Sequence, residues 1–159
     1  MNQNSLAIDV NFMFRTAYPE IYEELCQKKK LFRLEIHLFA SALAIGILNK
    51  AQSQKRPSHD MIRLNQLLKE EHQETKDVIN ILSQMICQGP DTRARGDTVL
   101  AYADGGLEIL WKDYQAQGIL DLPRILEDSK KKWPNRIPEL SHCLEENVPP
   151  EPKNSKSPA

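Results

Sequence analysis

The clearest hydrophobic pattern of the chain lies in its first third. Apolar side chains recur at three- and four-residue steps from Leu31 to Leu48, and a second apolar set occupies the adjacent helical rows. A helix that is apolar over so much of its circumference belongs at the centre of a bundle. Small residues between Ala40 and Gly46 would let neighbouring helices approach closely. The pattern therefore predicts a central helix over residues 31–51.

Shorter helices are predicted on both sides of this central helix. Pro19 suits a first helical turn, and three lysines suit the end of a helix over residues 19–29. Helical periodicity returns from Val78 to Ile86, and a last short helix is predicted over residues 123–131. The apolar residues within 57–68 fit either a short strand or a helix. The fold class expected is all-α, a compact domain of four to six helices with one small hairpin as an option near residues 57–68.

A second long apolar pattern begins at Asp91. It keeps helical spacing straight through Gly105 and Gly106, and Gly118 is the expected stop. Each glycine inside a helix costs about 1 kcal/mol relative to alanine. The helix must therefore break at the glycine pair or gain something from the missing side chains.

The ends of the chain differ in composition from its middle. Residues 1–17 are predicted to be a flexible arm whose aromatic cluster docks on the body or on a partner. Residues 18–144 form the helical domain. Residues 145–159 are rich in Pro, Glu, Lys and Ser and are predicted to be a disordered tail.

The bulk composition is that of an ordinary folded protein. Hydrophobic residues make up 40% and charged residues 27%, and the net charge is −1, which lowers the expectation of a dedicated nucleic-acid module. No apolar run reaches the roughly 20 residues that a membrane span needs. No secretory leader precedes the three widely spaced cysteines, so reduced thiols and a cytoplasmic location are expected.

The motifs of the common catalytic sites are missing from the sequence. It has no phosphate-binding loop, no G-x-S-x-G elbow and no H-E-x-x-H pair, and its four histidines lack partners at zinc-ligand spacing. We therefore expect no enzyme activity, no metal and no cofactor. Asp97, Asp104 and Glu108 would stack on one helical face and could hold magnesium. A metal-dependent nuclease thus stays an alternative, although a solvated face is the favoured interpretation.

Basic residues form several clusters, and a folded domain could bring some of them together as a phosphate-contacting stripe. A DNA-contacting subunit is therefore a second alternative, although ordinary solvated helix ends are favoured. The candidate nucleic-acid contacts are Lys28, Lys29, Lys30, Lys55, Arg56, Arg93, Arg95, Lys130, Lys131 and Lys132.

The glycine pair has two interpretations. Either it marks a close helix–helix contact, which is slightly favoured, or it admits a partner's backbone or a phosphate where a side chain would block the approach. Aromatic residues nearby are of the types that anchor interfaces. The predicted contact surface is Tyr102, Gly105, Gly106, Leu107, Glu108 and Trp111, with Phe12 and Phe14 as a second candidate.

Two segments resemble a known family. Tyr102-Ala-Asp-Gly-Gly-Leu-Glu resembles the Tyr-Ala-Asn-Gly-Gly-Leu-Glu pattern of the DNA phosphorothioation-associated protein 4 family, with Asp104 where that pattern has Asn. Phe39-Ala-Ser-Ala-Leu-Ala-Ile-Gly46 is similar to an early helix of the same family. The resemblance spans roughly residues 31–116.

What this resemblance implies is a bacterial accessory protein that acts beside DNA-modification or anti-phage defence proteins. We expect a non-catalytic interaction subunit that bridges to a larger ATPase or nuclease. A small middle subunit of an SMC-like defence system is a variant of the same hypothesis. DNA contact, if made, would be indirect in this interpretation, and no membrane partner is expected.

Overall fold

The computed structural model describes residues 8, 9, 11–67, 72–86 and 92–147. Across these ranges it is mainly helical, with one small antiparallel sheet. The strands are β1 (Met13–Thr16) and β2 (His59–Arg63), and a 3₁₀ turn (Leu64–Leu67) follows β2. The helices are α1 (Pro19–Tyr22), continued by a π-helical segment (Glu23–Lys28), α2 (Glu35–Leu48), α3 (Gln73–Gln84), α4 (Thr92–Gln117), α5 (Leu122–Lys132) and α6 (Arg136–Asn147).

The sheet pairs two distant parts of the chain. Met13 lies opposite Arg63 and Thr16 opposite His59, with an irregularity between Phe14 and Arg15. A strand within residues 57–68 was one of the two expectations for that segment. Its partner, however, is the N-terminal segment, so the strand does not form a local hairpin.

The N-terminal segment is part of the folded body from the first described residues onward. Ile8 and Phe14 are buried, and the Phe14 ring meets the Phe39 ring of α2 edge-on at 4.8 Å between centroids. The prediction of a flexible arm is therefore wrong for β1. Docking of its aromatic side chains on the body was one of the two expectations, and Phe14 follows it, whereas the strand itself was not predicted. The remainder of the predicted arm, residues 1–7 and 10, lies outside the described residues.

The core is centred on α2, as predicted. Ile36, Phe39 and Leu43 are among its buried side chains, and α4 packs along its length. The helix begins at Glu35 rather than at residue 31, because Leu34 has an extended backbone conformation.

The long helix α4 runs unbroken through Gly105 and Gly106. It ends where expected, since Gly118 adopts φ 76° and its N–H donates to the Tyr114 carbonyl at 2.8 Å. Glycine accepts this left-handed conformation at a helix end without the steric penalty of a Cβ.

The C-terminal part of the domain contains two helices. The Asp121 carboxylate accepts the Arg124 N–H and begins α5. Helix α6 was not predicted, because Pro134 and Pro138 suggested irregular chain. Pro138 lies in the first turn of α6, where a missing N–H leaves no helical hydrogen bond unmade. The predicted disordered tail began at residue 145, which is wrong for residues 145–147 because they belong to α6. The rest of the predicted tail, residues 148–159, lies outside the described residues.

Two further observations concern the expected cellular setting. None of the helices in the described ranges is long and apolar enough to cross a bilayer. Cys26 is a buried free thiol, whereas Cys143 on α6 is disulfide-bonded. The expectation of reduced thiols throughout is therefore not met at Cys143, and the cytoplasmic location stays a prediction.

Candidate functional site

The glycine pair of α4 is an internal helix contact. A Cβ at Gly106 would overlap the Ala42 carbonyl, and a Cβ at Gly105 would overlap the Ala51 carbonyl. On the opposite helix, a Cβ at Gly46 would overlap the Tyr102 carbonyl. The three glycines thus let α2, α4 and the chain after α2 meet backbone to backbone. The first of the two interpretations of the pair, a close helix–helix contact, matches this geometry.

The predicted contact surface therefore loses its central members. Gly105 and Gly106 are buried, and Leu107 is 0% exposed. Side chains inside the molecule cannot form a surface for a partner, so including these three residues was wrong. Tyr102 and Trp111 are partly buried and pack against the core. The second candidate fails for Phe14, which is 0% exposed, while Phe12 is partly buried and its ring lies over Gly96.

The two acids beside the glycines are held by the N-terminal segment. Asp104 is 1% exposed. One carboxylate oxygen accepts the Thr16 hydroxyl at 2.6 Å, and the other accepts the Ala17 N–H at 2.8 Å. Burial raises the pKa of Asp104, the two hydrogen bonds lower it, and the nearby Glu108 raises it further, with a net upward direction.

Glu108 lies one turn further along α4 and joins two other segments. Its carboxylate accepts the Tyr18 hydroxyl and, at 2.7 Å, the Ser53 hydroxyl. Burial and the carboxylate raise the pKa of Tyr18 to about 12. The Lys55 ammonium lies 4.8 Å from the centre of the Tyr18 ring. This cluster fastens the β1–α1 turn and the chain after α2 to α4, which is a structural task.

The row of acids proposed as a nuclease site does not assemble. Asp97 is exposed and lines a different part of the surface, together with Arg15, Arg56 and Asp60. Asp104 and Glu108 already accept hydrogen bonds from protein groups. Within the described ranges, His, Cys, Asp and Glu side chains form no group of three or more that could hold a metal ion.

A cavity beside the sheet has a lining of mixed charge. It encloses about 650 Å³ and is lined by Arg15, Arg56, Asp60 and Asp97, among others. Arg15 and Asp60 form an ion pair at 2.6 Å. Two cations balanced by two carboxylates do not single out an anionic or a cationic ligand.

The candidate nucleic-acid residues are scattered over the molecule, with one exception. Lys28, Lys29 and Lys30 are exposed after α1, whereas Arg95 is 7% exposed and is not a surface residue. The side chain of Arg93 lies outside the described residues. The exception is the end of α5, where Lys132 follows Lys130 and Lys131 in the sequence. Its ammonium group and that of Lys50, which comes just after α2, both lie over the Trp133 ring.

An apolar groove follows the outer face of α2. Two adjoining cavities of about 210 and 310 Å³ share Ala40 and Val78 in their linings. The floor is Ala40, Ser41 and Ala44 of α2, and the walls are Val78 of α3 and Leu122 and Leu126 of α5. We call this feature the α2 groove.

Sequence reasoning missed the α2 groove, although one signal was available. The small residues of α2 predict that neighbouring helices approach it closely, and Gly46 and Ala42 do face α4. Ala40, Ser41 and Ala44 are on another side and remain partly exposed. A stripe of small residues on a second face of a central helix indicates a second close contact, which the described chain leaves open.

Comparison with protein-family models, curated proteins and solved structures finds no match to this chain. The resemblance to the DNA phosphorothioation-associated protein 4 family therefore stays a prediction.

Proposed function

We propose that this protein is a non-catalytic interaction subunit that receives a helix of a larger partner protein in the α2 groove. The observation that carries the proposal is the open face of the central helix. An α-helix that is apolar all round is normally buried on every side. Here the strip formed by Ala40, Ser41 and Ala44 stays partly exposed between apolar walls.

The shape of the groove favours a helix as its occupant. Small side chains on the floor let a second backbone come close, as the glycines do between α2 and α4. Val78 on the rim is 47% exposed, and Ile81 on the same helix is 46% exposed. Amphipathic helices commonly bind such grooves through apolar side chains one turn apart.

The charge of the lining restricts the partner further. Among the described residues that line the groove, Glu74 is the one carboxylate, and it lies at the end of the groove near His37. We expect a partner helix with an apolar docked face and a basic residue at the end that meets Glu74. The family resemblance supplies the wider expectation that the partner is an ATPase or a nuclease of a bacterial defence complex.

The proposal is tested by photo-crosslinking in the native host. A photoreactive phenylalanine analogue replaces Val78 in one protein and Ile119 in a control. Ile119 is 64% exposed and does not line the groove. We expect the first protein, but not the control, to give an adduct whose crosslinked peptide is an amphipathic helix of a larger protein.

A substitution on the groove floor gives a second, independent readout. Ala44→Leu fills the floor and should abolish the adduct, whereas Ala116→Leu on exposed α4 surface should leave it unchanged. An adduct between two copies of this chain, equal labelling from position 119, or no adduct from position 78 would each contradict the proposal.

A further inference from the structure

A cluster of cations surrounds Trp133 at the junction of α5 and α6. The Lys50 ammonium lies 5.1 Å from the centre of the indole ring and the Lys132 ammonium 5.9 Å from it. Lys50 follows α2, and Lys132 ends α5. Two segments far apart in the sequence, the residue after α2 and the end of α5, therefore meet here. We call Lys50, Lys131, Lys132 and Trp133 the Trp133 cluster.

The cations of this region outnumber its acids. Lys130 pairs with Glu127 at 2.9 Å, and Glu139 is shared between Lys50 at 3.5 Å and Arg136 at 3.6 Å. Lys131 and Lys132 form no ion pair with any residue of the described ranges. A chain whose net charge is −1 thus concentrates positive charge at one place.

Favourable placement at a helix end explains only part of the cluster. The C-terminus of α5 attracts cations, which accounts for Lys130, Lys131 and Lys132. The C-terminus of α2 favours Lys50 in the same way, but placement at two separate helix ends does not explain why Lys50 and Lys132 meet at one ring. Arg136 is held separately, because its Nε donates to the Ile47 carbonyl at 2.7 Å and fixes the start of α6 against the end of α2. This bond holds the segments that carry the lysines in place.

We propose that the Trp133 cluster contacts the phosphate backbone of duplex DNA. Lysine ammonium groups recognise phosphates as point charges and carry no base specificity. Binding of single strands relies on open aromatic faces on which bases stack. Two ammonium groups already lie over the Trp133 ring, so the ring is not open for a base to stack on it. This favours the phosphate backbone of a duplex over an unpaired strand. This site is separate from the α2 groove and does not rest on the proposed protein partner.

The test is a salt titration of DNA binding by the full chain. Fluorescence anisotropy follows a labelled 24-base-pair duplex of arbitrary sequence between 50 and 200 mM salt. The variant Lys131→Gln/Lys132→Gln removes the two lysines without ion pairs. The control Lys29→Gln/Lys30→Gln removes the same charge from two exposed lysines after α1.

We expect the wild type and the control to bind alike. The slope of log Kobs against log salt is negative, and each lost phosphate contact makes it less steep by about 0.9. The slope of the Lys131/Lys132 variant should therefore be less steep than that of the wild type by about 1.8. Its affinity at 100 mM salt should fall at least tenfold. Equal loss in both variants, tighter binding of a single strand than of duplex, or no binding by the wild type at 50 mM salt would overturn the proposal.

Discussion

At the scale of single residues, the fold depends most on positions where no side chain fits. Gly106 faces the Ala42 carbonyl and the Gly46 N–H of α2. For Gly96, ten residues earlier in the same helix, the atoms nearest to an added Cβ belong to the ring of Phe12, the first at 2.7 Å. The two glycines of this helix thus differ in what an added Cβ would meet. At Gly106 it would meet the backbone of α2, and at Gly96 a side chain that can move.

Alanine substitution should separate these two glycines. Gly106→Ala pushes α4 away from α2, and we expect a loss of at least about 3 kcal/mol in the free energy of unfolding, at the upper end of the overpacking range. Gly96→Ala should change it by less than about 1 kcal/mol, because a small shift of the Phe12 ring is offset by the better helix propensity of alanine. Urea denaturation measures both. Similar stability of the two variants would contradict the backbone contact.

At the scale of elements, the sequence predicted what is local and missed what is not. The periodicity of α2 and α4 follows from each helix's own apolar positions, so both were found, including passage through Gly105 and Gly106. The pairing of β1 with β2 depends on contacts between residues far apart in the chain, which periodicity cannot reveal. Helix α6 was hidden because Pro138 looks the same in a sequence whether it begins a helix or interrupts one.

The candidate site was missed for a related reason. Tyr102, Gly105 and Glu108 stood out because their residue types are unusual within a helix. The α2 groove, by contrast, consists of ordinary Ala, Ser, Val and Leu side chains. Only the arrangement of α3 and α5 around α2 makes these side chains a surface feature.

Thr16 links strand β1 to α4, because its hydroxyl donates to Asp104 and accepts the Tyr18 N–H at 3.0 Å. Thr16→Val keeps the shape and removes both hydrogen bonds. Leaving a buried carboxylate short of a donor costs about 1–3 kcal/mol. We expect a loss of stability in that range, with faster amide hydrogen exchange across β1 and β2.

Thr98→Val is the matched control for this experiment. The Thr98 hydroxyl donates only to the Ala94 carbonyl of its own helix, at 3.0 Å, so its loss should cost less than about 1 kcal/mol. A Thr16→Val protein as stable as the control, with unchanged exchange in β1, would show that Asp104 does not anchor the strand.

At the scale of the whole molecule, α5 connects the two proposed surfaces. Leu122 and Leu126 wall the α2 groove, while Lys131 and Lys132 at the end of the same helix belong to the Trp133 cluster. A near-neutral total charge conceals this local concentration of cations, which is why composition alone argued against DNA contact. One helix could therefore carry both a protein contact and a phosphate contact on a domain of this size.

The stability of the whole domain should respond to pH through Asp104. Its pKa is raised in the folded protein, so the ionised form is disfavoured by folding. This lowers the free energy of unfolding at any pH above the pKa that Asp104 has in the folded protein. The effect disappears as the pH falls toward 3.8, the pKa of the carboxyl group in the unfolded chain. Asp104→Asn abolishes this titration. Its amide oxygen can accept the Ala17 N–H, and its amide nitrogen can donate to the Thr16 hydroxyl oxygen, so the contact with Thr16 is kept with its direction reversed.

We therefore expect the free energy of unfolding of Asp104→Asn to be at least as high as that of the wild type at pH 7. As the pH is lowered to 4, the free energy of unfolding of the wild type should rise relative to that of the variant. Urea denaturation of both proteins at intervals of one pH unit measures the difference between their free energies of unfolding. Groups other than Asp104 titrate in both proteins, so their contributions cancel in this difference. A difference that is constant with pH, or that moves in the opposite direction, would contradict the upward shift.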